Sequence, residues 1–106
     1  MNNNFILDDP KLASYQHEIL IEQIKEFQES LDDEHEVGLI TPFNSSKPFV
    51  ITEIGYHNPY LIYFYGYYNN QDSTLIQHIN QISLLLTPVE KQPNKPARRI
   101  GFNPNE

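Results

Sequence analysis

Between Tyr56 and Tyr68 the chain places six of its seven tyrosines, in an order that admits little but a strand. Gly55-Tyr56-His57-Asn58-Pro59 carries turn chemistry, because glycine and asparagine tolerate unusual backbone angles and Pro59 removes a ladder donor. From Tyr60 to Tyr68 the side chains alternate. Ile62 and Phe64 fall on one face and Tyr63, Tyr65 and Tyr67 on the other, as the strand period of two requires. The apolar face must be covered. The aromatic face either meets a partner or paves the second side of a small sheet.

What covers the apolar face is sought on either side. Asp9-Pro10 reads as a helix start, and Leu20, Ile24, Phe27 and Leu31 recur at helical spacing, with Ala13 on the same stripe. The acidic run Asp32 to Glu36 ends that helix, since negative charge is disfavoured at a helix C-terminus. Two further strands are predicted at Val37–Thr41 and Phe49–Ile54, joined by a Pro- and Ser-containing loop. After the turn at Asn69–Asp72, Leu75, Ile79, Ile82 and Leu86 repeat the spacing of the first helix, which predicts a second helix over Ser73–Leu86, closed by Pro88. The expected fold is therefore α+β: a three-stranded antiparallel meander covered by two helices, in the order α-β-β-β-α. Residues 1–8 form a flexible leader and 9–87 a single domain. Residues 88–106, punctuated by four prolines, form an extended tail that docks on the body or on a neighbouring subunit.

Composition limits function. The net charge is −7, and residues 1–36 hold ten acids against Lys11 and Lys25, whereas residues 88–106 hold Lys91, Lys95, Arg98 and Arg99 against two glutamates. An acidic front half disfavours duplex nucleic acid, whose binding depends on neutralising phosphates. There is no cysteine, hence no disulfide and no thiolate metal site. The apolar runs are shorter than the roughly 20 residues a membrane helix needs, and the first residues do not read as a secretory signal. The expectation is a soluble, cytoplasmic protein.

Catalytic chemistry is not evident. The four histidines form no metal-binding pair of known spacing, the acidic run lacks the layout of a calcium loop, and Gly55, Gly66 and Gly101 are too isolated to cradle a phosphate. Ser73 and His78 are close, but no nucleophile elbow surrounds the serine. No enzyme, cofactor or metal is expected.

The blocks Gly55-Tyr56-His57-Asn58-Pro59, Leu75-Ile76-Gln77-His78-Ile79-Asn80-Gln81 and Arg98-Arg99-Ile100-Gly101-Phe102 resemble an uncharacterised family of small bacterial and phage proteins, over roughly residues 34–102. The resemblance carries no activity. It implies that the tyrosine turn, the amide-bearing segment and the arginine tail belong to one unit. By association, small phage proteins of this size often act by binding, some as sponges of bacterial immune signals; a phage-encoded chain would work in the host cytoplasm.

The expected function is that of a non-enzymatic binding protein, a homo-oligomer that holds a small anionic, nucleotide-like molecule. Its candidate ligand-binding residues are Tyr63, Tyr65, Tyr67, His57, His78, Gln77, Gln81, Arg98 and Arg99. Rings would stack on tyrosine, and a guanidinium would meet the anionic group. The alternative is a protein-interaction module that presents its acidic first helix to a basic partner.

Overall fold

A computed structural model describes residues 9–102; the leader expected over residues 1–8 lies outside them. One helix, α1 (Ala13–Glu29), packs on a five-stranded sheet made of β1 (His35–Ile40), β2 (Phe49–His57), β3 (Leu61–Tyr68), β4 (Gln71–His78) and β5 (Leu85–Glu90). The strand order is β4-β3-β2-β1-β5, and every pairing is antiparallel. The class is α+β, but the meander has more than three strands and there is one long helix rather than two.

The second helix expected over Ser73–Leu86 does not form. Asn69 and Asn70 both have positive φ, 55° and 63°, which makes them the two-residue loop of a tight hairpin. The loop returns the chain directly alongside β3, and β4 pairs with it residue for residue from Tyr68↔Gln71 to Leu61↔His78. The helical spacing of Leu75, Ile79, Ile82 and Leu86 is coincidental. The four do pack against one core, but from β4, a 3-10 turn (Ile79–Gln81), the segment after it, and β5. Alternation in β4 is masked because Ile76 points outward and is 56% exposed.

Residues 88–90, assigned to the tail, belong to β5, with Pro88 opposite Val37. Proline is tolerated there because β5 is an edge strand and Pro88 needs no ladder donor on its free side.

Helix α1 begins three residues after Pro10. Asp9 instead closes a turn, its carboxylate accepting from Lys11 N–H at 2.9 Å. Leu12, at the cap position, offers no side-chain cap. The β2–β3 turn does that work from a distance: Pro59 O accepts from Ala13 N–H at 2.8 Å and Asn58 Oδ1 accepts from Ser14 N–H at 2.9 Å. The Asn58–Pro59 peptide is cis. The turn thus fixes the helix against the sheet as well as joining two strands.

The core lies between α1 and one sheet face, where Ile24, Val37, Leu39, Ile51, Ile62 and Phe64 are almost fully buried. Each such side chain contributes about 1.5–3 kcal/mol of transfer free energy. β2 is bulged between Ile51 and Glu53. There Gly66 faces the β2 backbone so closely that a Cβ would collide with Val50 O. Beyond the bulge β1 and β2 separate: they pair only at Gly38↔Val50 and Leu39↔Phe49, while β2 stays paired with β3 out to His57↔Leu61. The tail fills part of the opening. Ile100 is 5% exposed and joins the core, held by Gln28, whose amide donates to Ile100 O at 3.2 Å and accepts from Ile100 N–H at 2.8 Å. No helix among the described residues is long and apolar enough to cross a membrane.

Candidate functional site

Among the described residues α1 covers only one face and leaves the opposite one open, and β3 lays Tyr63, Tyr65 and Tyr67 along that face. The three are half-buried and differ in surroundings. Tyr65 lies across β2 at Gly55, where a Cβ would stand 3.3 Å from its ring. The ring occupies space a side chain would otherwise take, as aromatic residues do over glycine in twisted sheets. Tyr63 stacks on Tyr65 with ring centroids 6.0 Å apart and planes 29° apart, within the range of favourable aromatic pairs. Tyr67 lies beneath Arg98, whose Cζ is 4.5 Å from the ring centroid.

Arg98 is held by Glu36. The Glu36 side chain is 1% exposed, and its carboxylate accepts from Arg98 N–H at 2.7 Å, Nε at 3.0 Å and Nη2 at 2.9 Å. Burial pushes the Glu36 carboxyl up. The hydrogen bonds and positive charge of Arg98 more than offset this and hold it below the usual carboxylate range. Arg98 Nη1 makes no hydrogen bond among the described residues. Arg98 also lines a cleft of about 250 Å³, together with Tyr67, Asn70, Gln92 and Lys95 among others. Lys95 is exposed and makes no ion pair among the described residues. The tyrosine row therefore ends at a small polar cleft lined by Arg98 and by Lys95, which is unpaired among the described residues.

Other candidates fall elsewhere. His57 and His78 both pair with Leu61 from opposite sides, at the far end of the row. His78 stacks on Tyr60 at 5.0 Å, and its Nδ1 accepts from Asn80 N–H at 3.1 Å, so it caps the 3-10 turn. Gln77 points to the helix side, is 5% exposed, and leaves its Oε1 without a partner among the described residues. Gln81 is exposed in the 3-10 turn. Neither amide joins the tyrosines. Arg99 donates to His35 O at 2.6 Å and to Asp32 O at 2.7 Å, so its guanidinium ties the tail to the α1–β1 turn.

The acidic turn is ordered by the same contacts. Asp32 accepts from His35 Nδ1 at 2.7 Å, which raises the His35 pKa and lowers that of Asp32. Glu36, Lys95, Asn70 and Gln92 were not among the sequence candidates. No local signal marks them: Glu36 closes an acidic run, and Arg98 lies 62 residues further along the chain.

The geometry defines a class: a small α+β protein with a half-covered antiparallel sheet, its open face aromatic, its seam closed by a basic tail. The chain matches a family of unknown function (DUF6173) over residues 7–103, and it belongs to that family. The expected membership in an uncharacterised family is thereby shown. No curated protein and no solved structure matches it.

Proposed function

We propose that this chain is a non-enzymatic binding protein that self-associates and holds a small anionic, ring-bearing molecule on the open face of its sheet. The observation that supports this is the tyrosine row running into the cleft lined by Lys95 and Arg98. Aromatic sheet faces stack flat rings with little regard to their substituents, and an adjacent cation takes a charged group. A nucleotide-like molecule combines both features. A nucleotide signal of bacterial immunity, sequestered rather than turned over, is the first ligand class to test. Arg99 is spent on backbone carbonyls and has no part in the reading.

The test is calorimetric titration against cyclic nucleotides and nicotinamide-derived cyclic molecules. A ligand should bind and be recovered chemically intact. Tyr63→Ala should weaken it by about tenfold or more, the scale of one stacked base, and Lys95→Ala should weaken an anionic ligand more than a neutral analogue. Flat titrations across the panel, with folded protein, remove the ligand from the proposal.

A second reading rests on the outer surface of α1, where Glu18, Glu22, Glu26 and Glu29 are exposed and form no ion pair among the described residues. A cleft of about 520 Å³ between α1 and β2 adds Glu53 to that acidic rim against Lys25. A basic protein partner fits this surface. Charge reversal at Glu22, Glu26 and Glu29 would then abolish its capture while Tyr65→Ala would not.

A further inference from the structure

The two edges of the sheet are built differently. β5 is six residues long and carries Pro88. β4 is eight residues long, contains no proline, lysine or arginine, and pairs with β3 without a bulge. Exposed edges of that kind recruit further strands, and proteins that stay monomeric usually interrupt them. Among the described residues nothing pairs with the outer edge of β4.

The hairpin determines which groups that edge presents. A two-residue loop makes Tyr68 and Gln71 a mutually hydrogen-bonded pair. The backbone of Gln71, Ser73, Leu75 and Gln77 therefore points to β3, and that of Asp72, Thr74, Ile76 and His78 points to the free edge. Ile79, next in the inward series, donates to Tyr60 O at 2.8 Å, as this alternation requires.

We infer that β4 pairs antiparallel with β4 of a second copy about a two-fold axis at Leu75, joining two five-stranded sheets into one. This deepens the self-association part of the reading above and is independent of its ligand. In this register Thr74 faces the partner's Ile76, Leu75 faces the partner's Leu75, and Asp72 faces the partner's His78. The last pairing selects the register. His78 Nδ1 already accepts from Asn80 N–H, so Nε2 carries the proton and is free to donate to a carboxylate. Moving the axis one residue either way sets Asp72 against Ile76 or against Asn80 and leaves His78 facing Asn70 or Thr74, so the imidazole loses its carboxylate partner. The same pairing covers Ile76, 56% exposed on the open face, and draws the partner toward Phe43, 83% exposed beside Leu75 on the other. Because the axis runs through the sheet, both tyrosine rows lie on the same side of the joined sheet.

The test combines light scattering with amide hydrogen exchange on the full chain. The native protein should scatter as twice 12.4 kDa and protect the amides of Thr74 and Ile76, which face outward and have no partner among the described residues of one copy. Ile76→Lys should be monomeric with those amides exposed. Asp72→Lys should weaken association by about tenfold or more, and Asp72→Lys with His78→Glu should restore it. Circular dichroism checks that each variant is folded, and the exchange result on the native chain does not depend on any variant. A dimer whose Thr74 and Ile76 amides exchange freely overturns the edge pairing and leaves self-association standing. A monomer at all concentrations overturns both.

Discussion

Removing the Arg98 side chain tests the most consequential contact in the molecule. Glu36 is 1% exposed, and three Arg98 donors meet its carboxylate at 2.7–3.0 Å. In Arg98→Ala the backbone N–H donor remains but both guanidinium bonds and the positive charge are lost. Breaking a buried pair on one side costs about 3–5 kcal/mol. The retained backbone bond places the expected loss at the lower end, about 3 kcal/mol, which for a domain of this size lowers Tm by about 12–24 °C. Glu36→Gln should cost about 1–1.5 kcal/mol, since the amide can still accept and Arg98, 25% exposed, can reach water. A double-mutant cycle should then show about 2 kcal/mol of coupling.

The pH dependence is a second signature of the same pair. In the native chain the Glu36 carboxyl is held below its usual value, so its contribution is present above the unfolded pKa of about 4.3 and is lost as pH falls through the folded value. In Arg98→Ala burial is left as the dominant influence and the folded pKa rises. That variant therefore regains relative stability on acidification, and the gap between the two proteins narrows toward acid pH. Urea unfolding followed by tyrosine fluorescence suits a chain with no tryptophan. A cost below about 1 kcal/mol at neutral pH, with parallel stability profiles for both proteins, would refute the reasoning.

Gly66→Ala should destabilise the fold by about 3 kcal/mol or more, because the added methyl meets the Val50 carbonyl at the bulge rather than a movable side chain; thermal unfolding or soluble yield reads this. Asn70→Ala should cost about 1 kcal/mol and Asn70→Gly far less, since Asn70 holds φ at 63°; denaturant midpoints compare the two. In an NMR titration His35 should deprotonate above the usual histidine range, owing first to its hydrogen bond with Asp32. Its raised folded pKa means that the stability it adds is complete below the unfolded value and disappears as pH rises through the folded one. Asp32→Asn should return the titration toward the ordinary range.

The parts legible in the sequence are those whose signal is local. The stripe of Leu20, Ile24 and Phe27 marks α1, and the alternation around Ile62 and Phe64 marks β3, because each element buries one face against the same core. β4 was obscured because an edge strand has little to bury. Ile76 is left outside, and the apolar residues that remain fall by chance at helical spacing. The informative residues were Asn69 and Asn70, whose joint tolerance of positive φ favours a hairpin over a helix cap. β5 was hidden by Pro88, which excludes a central strand but not an edge. The tyrosine row was visible as a face, yet its division into a ring over Gly55 and a ring under Arg98 depends on cross-strand neighbours. Glu36 looked like one more solvated acid among Asp32, Asp33 and Glu34. Its partner lies 62 residues away, and no local pattern links them.

The seam between β1 and β2 has a consequence for how the protein is made. All five strands leave the ribosome before Arg98 and Ile100 do. Until those residues arrive, the nascent sheet carries a buried-site carboxylate with no counter-charge and a core with an unfilled position. The last native contacts therefore form only once residue 100 is free of the ribosome, and a chain cut short before Arg98 would be left as an incompletely closed domain, the form most open to chaperones and proteases.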